Sequence, residues 1–274
     1  MRSDWPRTDI RRVWMRRRVC ASRRGPDRLA SWRPWTMPPI GNHPSQALGG
    51  ASLMGAVGLL YVGAVLFLNG MMLLGKVEPR ATAIFNLFVG ALQVVTPTVL
   101  IIANLSRPAE ILGASGIYLF GFTYLYVGIN LLGGFDSTGV GYFSLFVAIM
   151  AIGYAYANFQ LLGDPAFGVI WLYWSYLWFL FFVLLGLKHE QITRYTGWVT
   201  AIQGWVTAAI PAFMILTGYW ENTNLIAIIL AVFGLVVFIG LWPLTRGREP
   251  AAAAPSPGDE AVGARDRRHR PRWT

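Results

Sequence analysis

The sequence predicts an all-α fold, that of a polytopic membrane protein, on three observations. Seven apolar stretches, each roughly 20 residues long, follow one another through the middle of the 274-residue chain, and at ~1.5 Å per residue each can cross a hydrocarbon layer about 30 Å thick. The composition agrees: 55% of residues are hydrophobic, only 13% are charged, and the mean hydropathy is +0.47. Charge is also segregated. Residues 1–53 hold eleven Arg and residues 246–274 seven, whereas the stretch between them carries five bases against six acids.

The first span is expected at 55–75, where Leu59, Val62, Leu66 and Asn69 recur at helical spacing and place three aliphatics and an amide on one stripe. The second, 81–103, follows the break at Lys76, Glu78 and Arg80 and contains Pro97, which a membrane helix tolerates when neighbours take up the freed backbone group. The third, 113–132, follows Arg107 and Glu110 and puts Phe120, Thr123 and Tyr124 on one face. The fourth, 140–162, lies between Asp136 and Asp164.

The fifth span, 167–187, is the most informative, because from Val169 to Leu187 it has no charged side chain and carries Trp171, Trp174 and Trp178 within roughly 60° of one helical face. Tryptophan in a membrane helix usually marks the headgroup belt, yet this stripe runs two turns into the span. Two readings fit it: packing between helices, or rings that line a narrow passage for something small and flat. The sixth span, 197–219, contains Gln203 and Pro211, and the seventh is expected at 224–244. LYVG at Leu60–Gly63 recurs at Leu125–Gly128, and LFVG at 87–90 is echoed by LFVA at 145–148. Each echo skips two spans, so the repeating unit is a helical hairpin used in parallel, which leaves room for a passage along a shared axis.

The ends read differently. Residues 1–53 have no apolar run long enough for a signal peptide; they are expected to be a disordered Arg/Pro-rich extension, with Met54 as the natural start. Disorder is preferred over a basic arm for nucleic acid or acidic lipid, and no nucleic-acid partner is expected. The basic, Ala/Pro-rich tail 246–274 is also expected to be disordered. Lys76, Arg80, Lys188, Arg194, Arg246 and Arg248 fall on one side of the membrane and Arg107 on the other, so the first span starts outside and the tail is cytoplasmic. Cys20 has no partner for an intrachain disulfide.

Within the spans there is no Asp, Glu, His or Lys; the polar inventory is neutral, including Asn69, Asn86, Gln93, Asn130, Asn158, Gln160 and Gln203. That favours passive conduction over pumping. His43, His189 and His269 lie outside the spans, and no nucleophile with a base, paired carboxylates or metal-ligand set falls within them, so neither an enzyme, a metal nor a cofactor is expected.

The segments GLLYVGAVLFLNG, KVEPRATAIFNLFVGALQVV, LFGFTYLYVGIN, YFSLFVAI, VIWLYWSYLWFL and GWVTAIQGWVTAAIPAF together resemble the AmiS/UreI family, which comprises the acid-activated urea channel and the amide transporters of amidase operons, over about residues 54–220. The resemblance, nearest to the actinobacterial amide-transporter branch, implies a six-helix bundle of three hairpins around a pore in each protomer. It implies a homohexamer in lipid of the bacterial inner membrane, linked functionally to a cytoplasmic amidase or urease. Small neutral amides such as acetamide are the implied substrates, with urea second. The family's pore lining falls on Leu59, Val62, Leu66, Phe120, Thr123, Tyr124, Trp171, Trp174 and Trp178, the same positions as the periodic stripes; Asn69 and Gln203 complete the expected lining.

Three departures from the acid-gated member follow. No histidine lies near 104–112 or 163–166, so acid activation is not expected. Gln203 stands where that channel has a glutamate. The seventh span, within 221–245, and the tail are additions. A urea-specific channel and a seven-helix receptor or structural protein are the alternatives; a retinal-type pump is not, because 224–244 contains no lysine.

Overall fold

The computed structural model describes residues 50–245. The expected disorder of the chain before residue 50 and of 246–274 falls outside the described residues, and the first helix runs through Met54 without a break. Among the described residues the α-helices are α1 (Gly50–Leu73), α2 (Pro79–Ala103), α3 (Pro108–Ser115), α4 (Ile117–Gly133), α5 (Thr138–Ala157), α6 (Pro165–Phe181), α7 (Thr193–Gln203), α8 (Ile210–Thr217) and α9 (Thr223–Thr245). Wider π-helical turns at Asn158–Leu162, Phe182–Gly186 and Gly204–Ala209 extend α5, α6 and α7. Together they make seven rods long and apolar enough to cross a membrane, as the sequence predicts.

Local chemistry sets the ends. Prolines open α2, α3 and α6, where a missing N–H costs nothing because the first turn has no acceptor for it. Asp164 caps α6, its carboxylate accepting from Phe167 N at 3.0 Å and from Trp220 Nε1 at 2.9 Å. At the other end, Asp136 accepts from Lys188 Nζ at 2.9 Å. Its carboxyl is held below the usual carboxylate range by its hydrogen bond with Thr138 and then by the Lys188 ammonium, so the carboxylate stays ionised at neutral pH.

Two predicted single helices are divided. The third rod joins α3 to α4 at Gly116, which keeps right-handed helical torsions while a Cβ there would lie 2.9 Å from the Trp171 ring. The sixth changes pitch before Pro211, because a proline ring collides with the carbonyl four residues earlier, that of Thr207, and the π turn widens the backbone there.

The rods close into a ring. Each packs on the next in sequence, α1 on α2, α2 on α4, α4 on α5, α5 on α6 and α6 on α7, and α7 returns to α1. The closest backbone approaches fall between the expected hairpins, and the repeats mark them. A Cβ on Gly63, the last residue of the first LYVG, would sit 2.7 Å from Gly204 O; one on Gly128, the last of the second, 3.0 Å from Ala83 O; and one on Gly90 of LFVG, 2.7 Å from Leu125 N. At the fourth copy, Ala148 O accepts from Ser175 Oγ at 2.8 Å. Lipid offers helices no hydrophobic gain from associating, so such close packing and buried amide bonds hold them. Asn69 and Asn86 exchange hydrogen bonds of 3.1 and 2.7 Å between α1 and α2, and Gln93 Nε2 donates to Gly58 O at 2.6 Å. Phe88, Ile102, Phe146 and Ile149 point outward, the pattern of a protein whose solvent is lipid.

Gly63→Ala is expected to destabilise the protein by about 1–3 kcal/mol, because α1 cannot retreat from the π turn without opening the ring. Gly153→Ala, with nothing within 4 Å, is expected to be neutral or stabilising. Thermal unfolding of both variants in detergent checks this; equal melting temperatures would contradict it.

Candidate functional site

Inside the ring the tryptophan face of α6 meets α4, α5 and the π turn that follows α7. Trp174 and Trp178 are each 2% exposed and Trp171 6%, so these indoles are not headgroup anchors. Phe120 of α4 is their hub: its ring centre lies 4.7 Å from Trp174 and 5.0 Å from Trp178, edge-on to both, and 5.5 Å from Trp171. Tyr154 of α5 stacks on Trp171 at 4.6 Å, with its hydroxyl 2.8 Å from Ser115 Oγ.

Two indole N–H groups are held by threonines. Trp174 Nε1 donates to Thr207 Oγ1 at 3.0 Å, and Trp178 Nε1 donates to Thr123 Oγ1 at 3.2 Å. A hydroxyl has one proton and two lone pairs. Thr207 gives its proton to Gln203 O and Thr123 gives its own to Leu119 O, each at 2.7 Å, so both present a lone pair to the indole. Neither ring can swing away without orphaning a buried N–H.

Two cavities flank this cluster. The larger, about 220 Å³, opens among the start of α1, the end of α5 and the start of α6, and Leu59, Val62, Phe120, Trp171 and Trp174 line it. The smaller, about 90 Å³, is lined by Leu66, Asn69, Thr123, Tyr124 and Trp178, with Asn130 and Ser144 among the others. That is still several times the ~10–15 Å³ one water requires. On each of three helices the lining passes from one cavity to the other within a turn: Val62 to Leu66, Phe120 to Thr123 and Tyr124, Trp174 to Trp178. The septum is therefore about one helical turn thick, ~5.4 Å. The cavities share no lining residue, so the septum is shut in this structure, and no charged residue lines either.

The polar atoms at the septum have unequal hydrogen-bonding capacity. Thr123, which lines the smaller cavity, has given its proton to Leu119 O and can only accept. The Tyr124 hydroxyl is buried without a partner and lines the smaller cavity, so it can both donate and accept. Gln203, expected in the lining, lines neither cavity. It shares a fully buried face of α7 and its π turn with Thr196, Thr200 and Thr207, and the Trp174–Thr207 bond draws α6 against that face and covers it. The Gln203 amide has no partner there.

Sequence reasoning missed Thr207, Tyr154 and Gly116. For Thr207 a signal existed, since Pro211 four residues on must disturb the helix at that carbonyl. For Tyr154 and Gly116 there was none, as both act through contacts between distant segments.

Residues 54–219 match the family described as AmiS/UreI family transporter. The chain belongs to the AmiS/UreI family. Among AmiS/UreI relatives, a Mycolicibacterium smegmatis protein named an amidate substrates transporter is 50% identical over 214 residues, 78% of this chain and 100% of that one. The acid-activated urea channel of Helicobacter pylori (strain J99) is 36% identical over 190 residues, 59% of this chain and 97% of that one. A cryo-EM structure of the H. pylori urea channel in its closed state matches with a TM-score of 0.56 at 35% identity, covering 61% of this chain and 99% of that chain. Helix α9 lies beyond the matched AmiS/UreI segment.

Thr207→Val keeps the shape but removes the acceptor for Trp174, and is expected to cost about 1–3 kcal/mol; Thr207→Ser should restore most of it. Thermal unfolding in detergent reads the difference, and a valine variant as stable as the serine one would show that the bond holds nothing.

Proposed function

We propose that this AmiS/UreI protein is a passive channel for small neutral amides, short aliphatic amides first and urea second. One observation carries the reading: an uncharged, ring-walled septum a single helical turn thick, with one unpartnered hydroxyl, separates two cavities. Bringing an unpaired ion into such a slot costs on the order of 20 kcal/mol on the idealised Born estimate, and no carbonyl ring or opposite charge offsets it. A planar amide loses far less. Its faces lie against Phe120, Trp174 and Trp178, while Tyr124 and the remaining lone pair of Thr123 meet its N–H and C=O edges. The indoles are tied by hydrogen bonds and Phe120 is not, so rotation of Phe120 opens the septum. Weak contacts suit the task, since a site that binds tightly conducts slowly.

The distribution of Lys and Arg supports an α1 start outside and a cytoplasmic C-terminus in the bacterial inner membrane, with the larger cavity outward. The resemblance supports a homohexamer, and a cytoplasmic amidase or urease that consumes the entering amide would keep the gradient downhill. The connections 104–107, 163–164 and 218–222 on the outer side contain no histidine, which supports conduction without acid gating.

Purified protein in proteoliposomes is expected to admit acetamide and urea while remaining impermeable to Na⁺. Tyr124→Phe should change the acetamide-to-urea flux ratio by about 2–10-fold, the worth of one hydrogen bond, and Trp174→Ala should change it further. Wild-type vesicles no more permeable to amides than empty ones would refute the proposal; normal flux in both variants would remove these residues from the path. Uptake is expected to stay flat from about pH 7 to 5, where an ordinary histidine would titrate, and a several-fold rise on acidification would overturn the ungated reading.

A further inference from the structure

Helix α9 is the least embedded of the spans: 17% of its most apolar window is buried, against 39–50% for the other six. A rod that is apolar all round gains nothing by leaving lipid, so its attachment needs specific contacts. Tyrosines of α6 and α7 supply them. Tyr173 Oη donates to Leu230 O at 2.6 Å, and Tyr195 Oη donates to Phe238 O at 3.1 Å. The hydroxyls of Tyr176 and Tyr195 are 2.7 Å apart. Phe238 packs against Tyr173 and Tyr176 at 5.1 and 5.3 Å, and Trp242 lies edge-on to Tyr195 at 5.0 Å. Gly234 lets the Tyr173 ring in, for a Cβ there would come within 2.6 Å of Tyr173 Cζ.

We infer that α9 is a clasp that fixes the rotation of α6, and that Tyr173 and Tyr195 are thereby positioning residues for the selectivity of the septum. At about 100° per residue Tyr173 and Tyr176 lie roughly 130–170° around α6 from the tryptophan stripe, so α6 is gripped on opposite faces. Thr123 and Thr207 hold the indoles on the inside; on the outside Leu230 O holds Tyr173 directly, and Phe238 O holds Tyr195 of α7, whose hydroxyl meets that of Tyr176. A tyrosine hydroxyl at hydrocarbon depth has no water to turn to, and a helix carbonyl keeps a second lone pair for it. Release of the outer grip frees α6 to turn about its axis, and any turn moves Trp174 and Trp178 relative to Phe120. Tyr173 lines neither inner cavity, so its influence on a permeant travels through α6 alone.

The inference rests on conduction through the septum, and two readouts separate it from that reading. The full chain carrying Tyr173→Phe, Tyr195→Phe or both is reconstituted in phosphatidylcholine/phosphatidylglycerol vesicles, and the flux of acetamide is compared with that of the bulkier propionamide. The expected result is a change in the flux ratio of about threefold, equivalent to the ~0.6 kcal/mol of a typical hydrogen bond between membrane helices, with little change in melting temperature. A lowered melting temperature with an unchanged ratio means that α9 only stabilises the bundle, and overturns the clasp. The second readout needs no conduction. In a Cys20→Ser background, Phe181→Cys, which lies on α6 at the smaller cavity, is labelled with a small thiol reagent with and without Tyr173→Phe. The rate should differ by a similar factor. Equal rates overturn the clasp whether or not the wild type conducts, whereas differing rates in a protein that passes no amide would uphold the clasp and remove conduction.

Discussion

Two threonine hydroxyls that have already given their protons to their own helices, and so have only lone pairs left, are what the interior of this protein depends on. A buried indole N–H must find an acceptor, and Trp174 and Trp178 find theirs on different helices, Thr207 beyond α7 and Thr123 on α4. The two bonds fix where α6 stands between those neighbours. Phe120 touches all three indoles and is held by ring contacts alone. Two tied indoles and the buried Phe120 ring between them make up the barrier that separates the two cavities.

The ring of helices makes those bonds possible. Gly63, Gly90 and Gly128 let backbones approach to distances at which a single methyl group would collide, and each lies on a contact that joins one hairpin to the next. In water such contacts would be supplemented by the hydrophobic effect. In lipid they are not, so small residues and buried amide pairs such as Asn69–Asn86 have to hold the ring. The π turn before Pro211 adds a local adjustment: the proline that disrupts the helix also follows the widened stretch from which Thr207 reaches Trp174.

Seen from the septum, the chemistry is defined by what the walls offer. Rings and aliphatics give a planar solute contact without strong binding, and the Tyr124 hydroxyl is one buried polar atom there still free to exchange a hydrogen bond. The absence of lining charge makes the barrier steep for an ion and shallow for a neutral amide. On the far side of α6, α9 adds a second set of constraints, its Leu230 and Phe238 carbonyls accepting from the hydroxyls of Tyr173 and Tyr195.

The seven spans, their lack of buried charge and the stripes Leu59–Val62–Leu66, Phe120–Thr123–Tyr124 and Trp171–Trp174–Trp178 were legible in the amino-acid order alone, because hydropathy and helical period are properties of one segment at a time. The family was legible for the same reason, since its motifs are contiguous. What only the tertiary structure decided was which face meets which partner. Thr123 binds an indole and has no proton for a ligand; Thr207 anchors an indole of the septum and Gln203 does not, although both lie on one face; and the tightest contacts run between hairpins where the repeat suggested only the hairpins themselves. Periodicity gives the direction of a side chain around its own axis. It carries no information on the distance to the next axis, and hydrogen bonds and methyl-sized clearances are settled by that distance.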